Sequence, residues 1–285
     1  FLEIQNGCNH RCTFCIIPFA RGNSRSVSVE EIISEIKLLC RNGFSEIVLT
    51  GVDIGDYGSD SQENISLSVL VKNILDSVPS LARLRLSSID PKKFDDQLIK
   101  LIANEKRILP YFHLSVQSGD NIILKRMKRR HTREQAIQFC NKVLSLRKDA
   151  TFGADIIAGF PTETEEMFKE TMKLIDECNL THLHVFPYSP RDKTPAALMP
   201  QVENVLIKNR AKKLRDKGNV MLSKHLIKKV GKKSMLLIEK NEGNISKGKD
   251  QYFIKVELNE KVGEGKIVPC IYTGIENNVL LAKRI

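Results

Sequence analysis

Three cysteines near the start of the chain, Cys8, Cys12 and Cys15, are the residues best placed to do chemistry. They stand in the run Gln5-Asn6-Gly7-Cys8-Asn9-His10-Arg11-Cys12-Thr13-Phe14-Cys15, a C-x3-C-x2-C spacing. Three thiolates in one short loop can hold three irons of a cubane 4Fe–4S cluster. The fourth iron then lacks a protein ligand and stays open to a small molecule. The amino and carboxylate groups of S-adenosylmethionine (SAM) suit that position, and a reduced cluster could split the sulfonium to give a carbon radical. The spacing alone leaves zinc equally open, with His10 near enough to serve as a fourth ligand. A disulfide pair is a weaker option, because nothing else in the chain points to an oxidising compartment.

The elements that must position such a loop are those of a sizeable fold. The chain has 285 residues and 41% hydrophobic content, enough for one large core or for one large and one small domain. Cys40, Cys140, Cys178 and Cys270 are scattered singly in apolar or helical patterns and read as buried small hydrophobes. There is no apolar run long enough to span a membrane and no signal peptide, so the expected location is cytoplasmic. The chain opens on Phe1 in a strand-like run rather than on an initiator methionine, which suggests that something upstream has been removed or split off.

Net charge is +11, and its distribution is uneven. Residues 201–285 carry 19 Lys plus Arg against 9 Asp plus Glu, whereas residues 1–200 carry 26 against 25. A basic end on a neutral body reads either as a nucleic-acid contact surface or as a lysine-rich solvated helix.

Strand-like runs alternate with helical patterns over the first 200 residues. Strands are expected at Leu2–Gln5, Glu46–Thr50, Leu84–Ser88, Tyr111–Val116, Thr151–Ala158 and Leu183–Phe186. Helices are expected near Val29–Arg41, Leu67–Ser77, Phe94–Asn104, Asn121–Lys128, Arg133–Leu146 and Thr164–Cys178. Six strand–helix repeats predict an α/β fold with a parallel sheet and outer helices. Binding residues in such sheets gather at the C-terminal strand ends, where this sequence puts the cysteine loop, Gly51 and Asp53, Ser88, Gln117 and Gly159. A long charged helix follows over roughly Val202–Lys229. From Val230, short segments at Ser234–Glu239, Phe253–Glu257, Ile267–Tyr272 and Asn278–Ala282 read as a small all-β barrel. The domain division is therefore 1–229 and 230–285.

Phe14, just before the third cysteine, joins these features to a family resemblance. The chain resembles the radical SAM superfamily, whose partial triosephosphate-isomerase-type barrel has six strand–helix units. The runs Arg21–Ser26 (RGNSRS), Leu49–Asp53 (LTGVD), His113–Gly119 (HLSVQSG), Met127–Thr132 (MKRRHT), Ala154–Glu163 (ADIIAGFPTE) and Pro187–Ala196 (PYSPRDKTPA) narrow this to the methylthiotransferases that modify tRNA. Of three branches, HLSVQSG and RGNSRS look most like the one acting on threonylcarbamoyladenosine. The isopentenyladenosine branch usually has proline where Ser115 stands, and a third branch modifies a ribosomal protein. A zinc-stabilised RNA-binding remnant without chemistry is the non-enzymatic alternative.

The resemblance implies a mechanism and a set of residues. Cys8, Cys12 and Cys15 would bind the 4Fe–4S cluster that cleaves SAM. Hydrogen would be taken from C2 of the modified adenosine beside the anticodon, and a methylthio unit inserted from a second cluster. Phe14, Gly51, Asp53, Ser88, Gln117, Ile157 and Gly159 would contact SAM, with Ile157 and Gly159 near its adenine. Lys125, Arg126, Lys128, Arg129 and Arg130 would meet phosphates of the tRNA anticodon stem-loop. The end barrel resembles the small RNA-binding TRAM-like domain of this family, with Tyr252, Phe253 and Tyr272 as its candidate stacking residues. An electron donor such as flavodoxin or ferredoxin is implied. The family normally begins with a domain carrying three more cysteines for the second cluster, and no spacing among the remaining four replaces it. The chain alone is therefore expected to cleave SAM but not to complete sulfur insertion.

Overall fold

The computed structural model describes residues 1–61 and 65–285. The chain runs β1 (Leu2–Asn6), α1 (Ile17–Arg21), β2 (Arg25–Ser26), α2 (Val29–Arg41), β3 (Glu46–Gly51), α3 (Leu67–Ser77), β4 (Arg83–Leu86), α4 (Asp96–Asn104), β5 (Tyr111–Gln117), α5 (Asn121–Arg126), α6 (Arg133–Leu146), β6 (Thr151–Ala158), α7 (Glu165–Glu177), β7 (Leu180–Pro187) and α8 (Asn204–Ile227). Strands β1, β3 and β4 pair in parallel, as do β5, β6 and β7. Parallel bridges at Leu84–Ile108 and Ile89–Leu114 join the two groups into one arc. The arc is a partial α/β barrel: β7 has a neighbour on one side only among the described residues, and the short antiparallel β2 flanks β1.

The helices start where the sequence supplies caps. Ser28 with Glu31, and Thr132 with Gln135, form reciprocal capping boxes on α2 and α6. Ser66, Asp95, Asp120 and Thr164 accept backbone N–H bonds at the starts of α3, α4, α5 and α7. The predicted helix at Phe94 begins two residues later, because Asp90 caps a separate 3-10 turn over Pro91–Lys93 and Asp95 caps the helix proper. Apolar stripes such as Ile32 and Ile36, or Leu70 and Ile74, are buried against the sheet. Along β4 the side chains alternate: Leu84 and Leu86 join the outer core, and Arg83 and Arg85 project into the barrel. Helix α8 packs on the outer face of β7, where Gly218 admits Leu183 (a Cβ there would meet Leu183 Cδ1 at 3.1 Å). No helix among the described residues is long and apolar enough to cross a membrane.

The C-terminal segment closes into a five-stranded barrel of β8 (Lys233–Glu242), β9 (Ile245–Lys249), β10 (Lys255–Leu258), β11 (Ile267–Glu276) and β12 (Val279–Arg284), in the order β10-β12-β11-β8-β9. Strand β9 was not among the expected segments. Its sequence, ISKGK, is polar apart from Ile245, and it pairs because Gly248 lets the backbones approach. A Cβ there would lie 1.8 Å from the Leu237 carbonyl oxygen.

Two of the three aromatic residues proposed for stacking on RNA, Tyr272 and Phe253, need correction. Tyr272 is 1% exposed inside the small barrel. Phe253 stacks on Tyr111 of β5, with ring centroids 5.0 Å apart and planes 10° apart. Its ring also lies 5.4 Å from the Arg85 guanidinium and 3.9 Å from Lys249 Nζ. Arg85 donates to Glu46 Oε1 at 2.6 Å and to the Asp250 carbonyl at 2.6 Å, while Arg83 donates to the Met235 carbonyl at 2.7 Å. A buried guanidinium thus links the floor of the larger barrel to the small one. Removing it leaves Glu46 with Arg83 alone and takes a charged donor from the Asp250 and Gln251 carbonyls. Arg85→Leu is expected to destabilise the chain by about 3 kcal/mol in urea denaturation. Lys249→Ala, which removes only an outlying cation–π contact, is expected to cost less than about 1 kcal/mol.

Candidate active site

The loop after β1 is held by a tight backbone cradle. Gly7 has φ +72°, and a Cβ on it would lie 2.0 Å from the Asn23 carbonyl oxygen, so glycine is required at this turn. Cys8 N–H donates to Gly22 O and Thr13 N–H to Met127 O, both at 3.1 Å, and the Thr13 hydroxyl donates to Arg126 O at 2.8 Å. Cys8, Cys12 and Cys15 are free thiols and line one cavity of about 230 Å³ at the C-terminal ends of the barrel strands.

The three thiols differ in electrostatic setting. Burial pushes Cys8 up to about 11, against the backbone N–H of His10 that points at its sulfur from 3.4 Å. Burial also raises Cys15. At Cys12 burial pulls the same way, but His10 and the Arg129 guanidinium outweigh it and the thiol falls below its ordinary value. Arg129 Nη1 lies 3.7 Å from Cys12 Sγ. The imidazole of His10 is in turn held up at about 9 by the Asp53 carboxylate, 3.1 Å from its Nε2, and by Cys12. Three free thiols, an N–H donor on one sulfur and a cation on another form a donor set that fits an iron–sulfur cluster.

Arg129 is fixed by Asp90 and by the Ser115 carbonyl, at 2.8 and 2.6 Å from its Nη2. Asp90 also faces His131 Nδ1 at 3.2 Å and caps Lys92. Burial alone would raise the Asp90 carboxyl, but His131 and Arg129 prevail and bring it to about 2.

Of the residues expected at SAM, Phe14, Asp53, Ser88 and Gln117 line the cavity with the cysteines. Gln117 has φ +70°, a conformation side chains rarely adopt, at the irregular end of β5. Ser88 Oγ pairs with Ser115 Oγ at 2.7 Å and lies 3.3 Å from Asp155 Oδ2. Gly51, Ile157 and Gly159 stand behind the wall. A Cβ on Gly51 would meet the Gln5 carbonyl at 2.7 Å, so this glycine serves the contact of β3 with β1. Ile157 packs with Phe160, Tyr188 and Phe14 in an apolar cluster. Gly159, at φ +71°, packs under Ile207 of α8 and donates its N–H to Glu163 at 3.0 Å.

The basic run divides by direction. Lys125, Lys128 and Arg130 are exposed. Arg126 is half-buried and donates to the Thr162 hydroxyl at 2.7 Å. Arg129 is the correction: its side chain is only 9% exposed and turns inward to Asp90 and Cys12, so it is not a solvent-facing phosphate contact. Sequence reasoning did not place Asp90, Ser115 and Asp155 in the cavity. For Ser115 the two-residue period of strands was the available signal, since it shares one face of β5 with Gln117.

The chain matches the Radical SAM superfamily over residues 2–175. It is 50% identical over 98% of its length to a threonylcarbamoyladenosine tRNA methylthiotransferase, MtaB, of Rickettsia prowazekii, and spans 66% of that protein. It is 41% identical over 85% of its length to the protein of the same name from Aquifex aeolicus, of which it spans 58%. Among solved structures it superimposes on the radical S-adenosylmethionine methyltransferase TsrM of Kitasatospora setae. There the TM-score is 0.55 and the identity 18%, over 69% of this chain and 38% of that one. That likeness shows the fold.

The buried carboxylate makes a pH-dependent prediction. Its folded pKa is depressed, so the stability it contributes is present above the ordinary carboxylate value of 3.8 and is lost as pH falls towards about 2. Asp90→Asn is expected to cost about 2 kcal/mol at pH 7. Denaturation midpoints across a pH series should show that gap closing below about pH 4; a gap independent of pH would contradict the assignment.

Proposed function

Because the chain belongs to the radical SAM superfamily, we propose that it is the SAM-cleaving and RNA-binding portion of an enzyme that methylthiolates C2 of N6-threonylcarbamoyladenosine in tRNA. The observation that carries this reading is the continuity of its likeness to the Rickettsia methylthiotransferase, which runs through the cysteine cavity, the strands and the small barrel together. Cys8, Cys12 and Cys15 would hold the 4Fe–4S cluster. With SAM bound, that cluster supplies one-electron cleavage of the sulfonium.

This chain's own residues would bind and orient. Asp53 offers a carboxylate to the methionine ammonium, and Ser88 and Gln117 offer polar contacts across the cavity. Phe14, backed by Phe160 at a ring-centroid distance of 6.4 Å, closes one wall against water. Ser115 is the position at which the isopentenyl branch usually has proline, and here it makes two bonds. Its N–H donates to Ile89 O at 3.1 Å and its hydroxyl pairs with Ser88. A proline there makes neither bond, so the two branches would present differently shaped polar walls. Lys125, Lys128 and Arg130 form a cationic edge for anticodon-stem phosphates at the mouth, and residues 230–285 form a separate small RNA-binding unit at the floor. The second cluster and its sulfur chemistry would come from a family portion outside this chain, with flavodoxin or ferredoxin as the electron donor.

Nucleoside mass spectrometry of bulk tRNA tests the reading. In a strain lacking its own adenosine methylthiolation, the chain joined to a family N-terminal portion is expected to yield 2-methylthio-threonylcarbamoyladenosine, and Cys12→Ala to abolish it. No methylthio gain from a soluble, cluster-loaded fusion would overturn the substrate assignment. For the cationic edge, Lys128→Glu with Arg130→Glu is expected to weaken tRNA binding by about tenfold and to lower the slope of log affinity against log salt by about 2.

A further inference from the structure

A second constellation lies deeper in the larger barrel, on β5, β6 and β7. Strand alternation directs His113, Asp155 and His184 into the lumen, and the register sets Asp155 directly opposite His184. His113 Nε2 is 2.9 Å from Asp155 Oδ1, and His184 Nδ1 is 3.2 Å from the same oxygen. All three donor atoms lie within 4.8 Å of one another.

Several features distinguish this trio from an ordinary buried ion pair. The remaining nitrogen of His113, Nδ1, is 2.9 Å from the Tyr111 hydroxyl, which fixes the ring and leaves Nε2 for the centre of the group. The other oxygen of Asp155 lies 3.3 Å from the Ser88 hydroxyl. Outer partners of this kind orient metal ligands. Ligand bonds of about 2.0–2.2 Å place neighbouring donor atoms about 2.9–3.5 Å apart, and both measured separations fall in that range. Burial works against ionisation of Asp155, but His113 and His184 prevail and hold it well below the usual carboxylate range. No Lys or Arg pairs with it among the described residues. The companion trio of His10, Asp53 and Asp56 differs, because the Lys93 ammonium already neutralises Asp56 and His10 belongs to the thiol site.

We propose that His113, Asp155 and His184 form a binding site for one divalent first-row transition cation, with ligands distinct from the cysteines although Asp155 also lines their cavity. Two imidazoles and a carboxylate suit Zn²⁺ or Fe²⁺, and three protein ligands leave coordination positions open. The His184 side chain is 59% exposed, so the trio is reachable from solvent.

Zn²⁺ titration calorimetry on two forms of the full chain tests the site. One is the cluster-loaded chain, and the other carries Cys8→Ser, Cys12→Ser and Cys15→Ser. Both are expected to bind one Zn²⁺, with X-ray absorption showing nitrogen and oxygen neighbours and no sulfur. His184→Ala, at an exposed position that does not threaten folding, and Asp155→Asn should each weaken binding at least about tenfold. Tyr111→Phe, acting through His113, should weaken it by about tenfold. Failure of the thiol-free chain to bind, sulfur in the coordination shell, or affinity unchanged by both His184→Ala and Asp155→Asn would each overturn the proposal.

Discussion

Among the described residues, the carboxylates that face the interior of the larger barrel each have a cation or an imidazole against them. At the floor, Glu46 meets Arg83 and Arg85. Midway, Asp155 meets His113 and His184. At the mouth, Asp90 meets Arg129 and His131, and Asp53 and Asp56 meet His10 and Lys93. A lone charge in such a place costs several kcal/mol, so the lumen can be polar only if it is neutralised level by level. The outer surface of the same strands carries Leu84, Leu114 and Ile156, which bind the sheet to its helices. The apolar face builds the barrel, and the paired charges make its inside usable.

The thiols depend on this neutralisation. Arg129 reaches Cys12 because Asp90 and the Ser115 carbonyl hold it there, and Asp90 stays charged because His131 supports it from the other side. Arg129 and His131 both lie in the connection between α5 and α6, and Asp90 follows β4. Two connections therefore meet at one carboxylate, and a change at either would be felt at the sulfur. Cluster electronics respond to hydrogen bonds and charge near the sulfurs, which gives these loops a chemical role as well as a structural one.

Much of this was legible in the residues. The strand–helix rhythm, the caps and the cysteine spacing are local signals, and α2, α3, α6 and β6 fall where periodicity placed them. What was not legible is direction. In the run Lys125–Arg130 all five basic residues look alike, yet Met127 packs into the core and turns Arg129 inward while Lys128 and Arg130 stay out. Gly159 occurs in a motif that suggested a ligand, but its backbone answers to Ile207, distant in sequence. Phe253 resembles a stacking residue for a base and stacks instead on Tyr111 of the other barrel. In each case the deciding neighbour lies far along the chain, beyond the reach of any local pattern.

The sheet does not come round to meet itself. Strand β7 ends the arc with one edge unpaired among the described residues, and Phe186 there is 51% exposed beside the accessible His184. A closed tube admits only what can pass its mouth end-on. A slotted one can take a reactant from the side while whatever that reactant is attached to remains outside. For a group fixed to a long polymer the difference is topological: the slot removes any need to thread a chain end, so an internal position is as reachable as a terminal one.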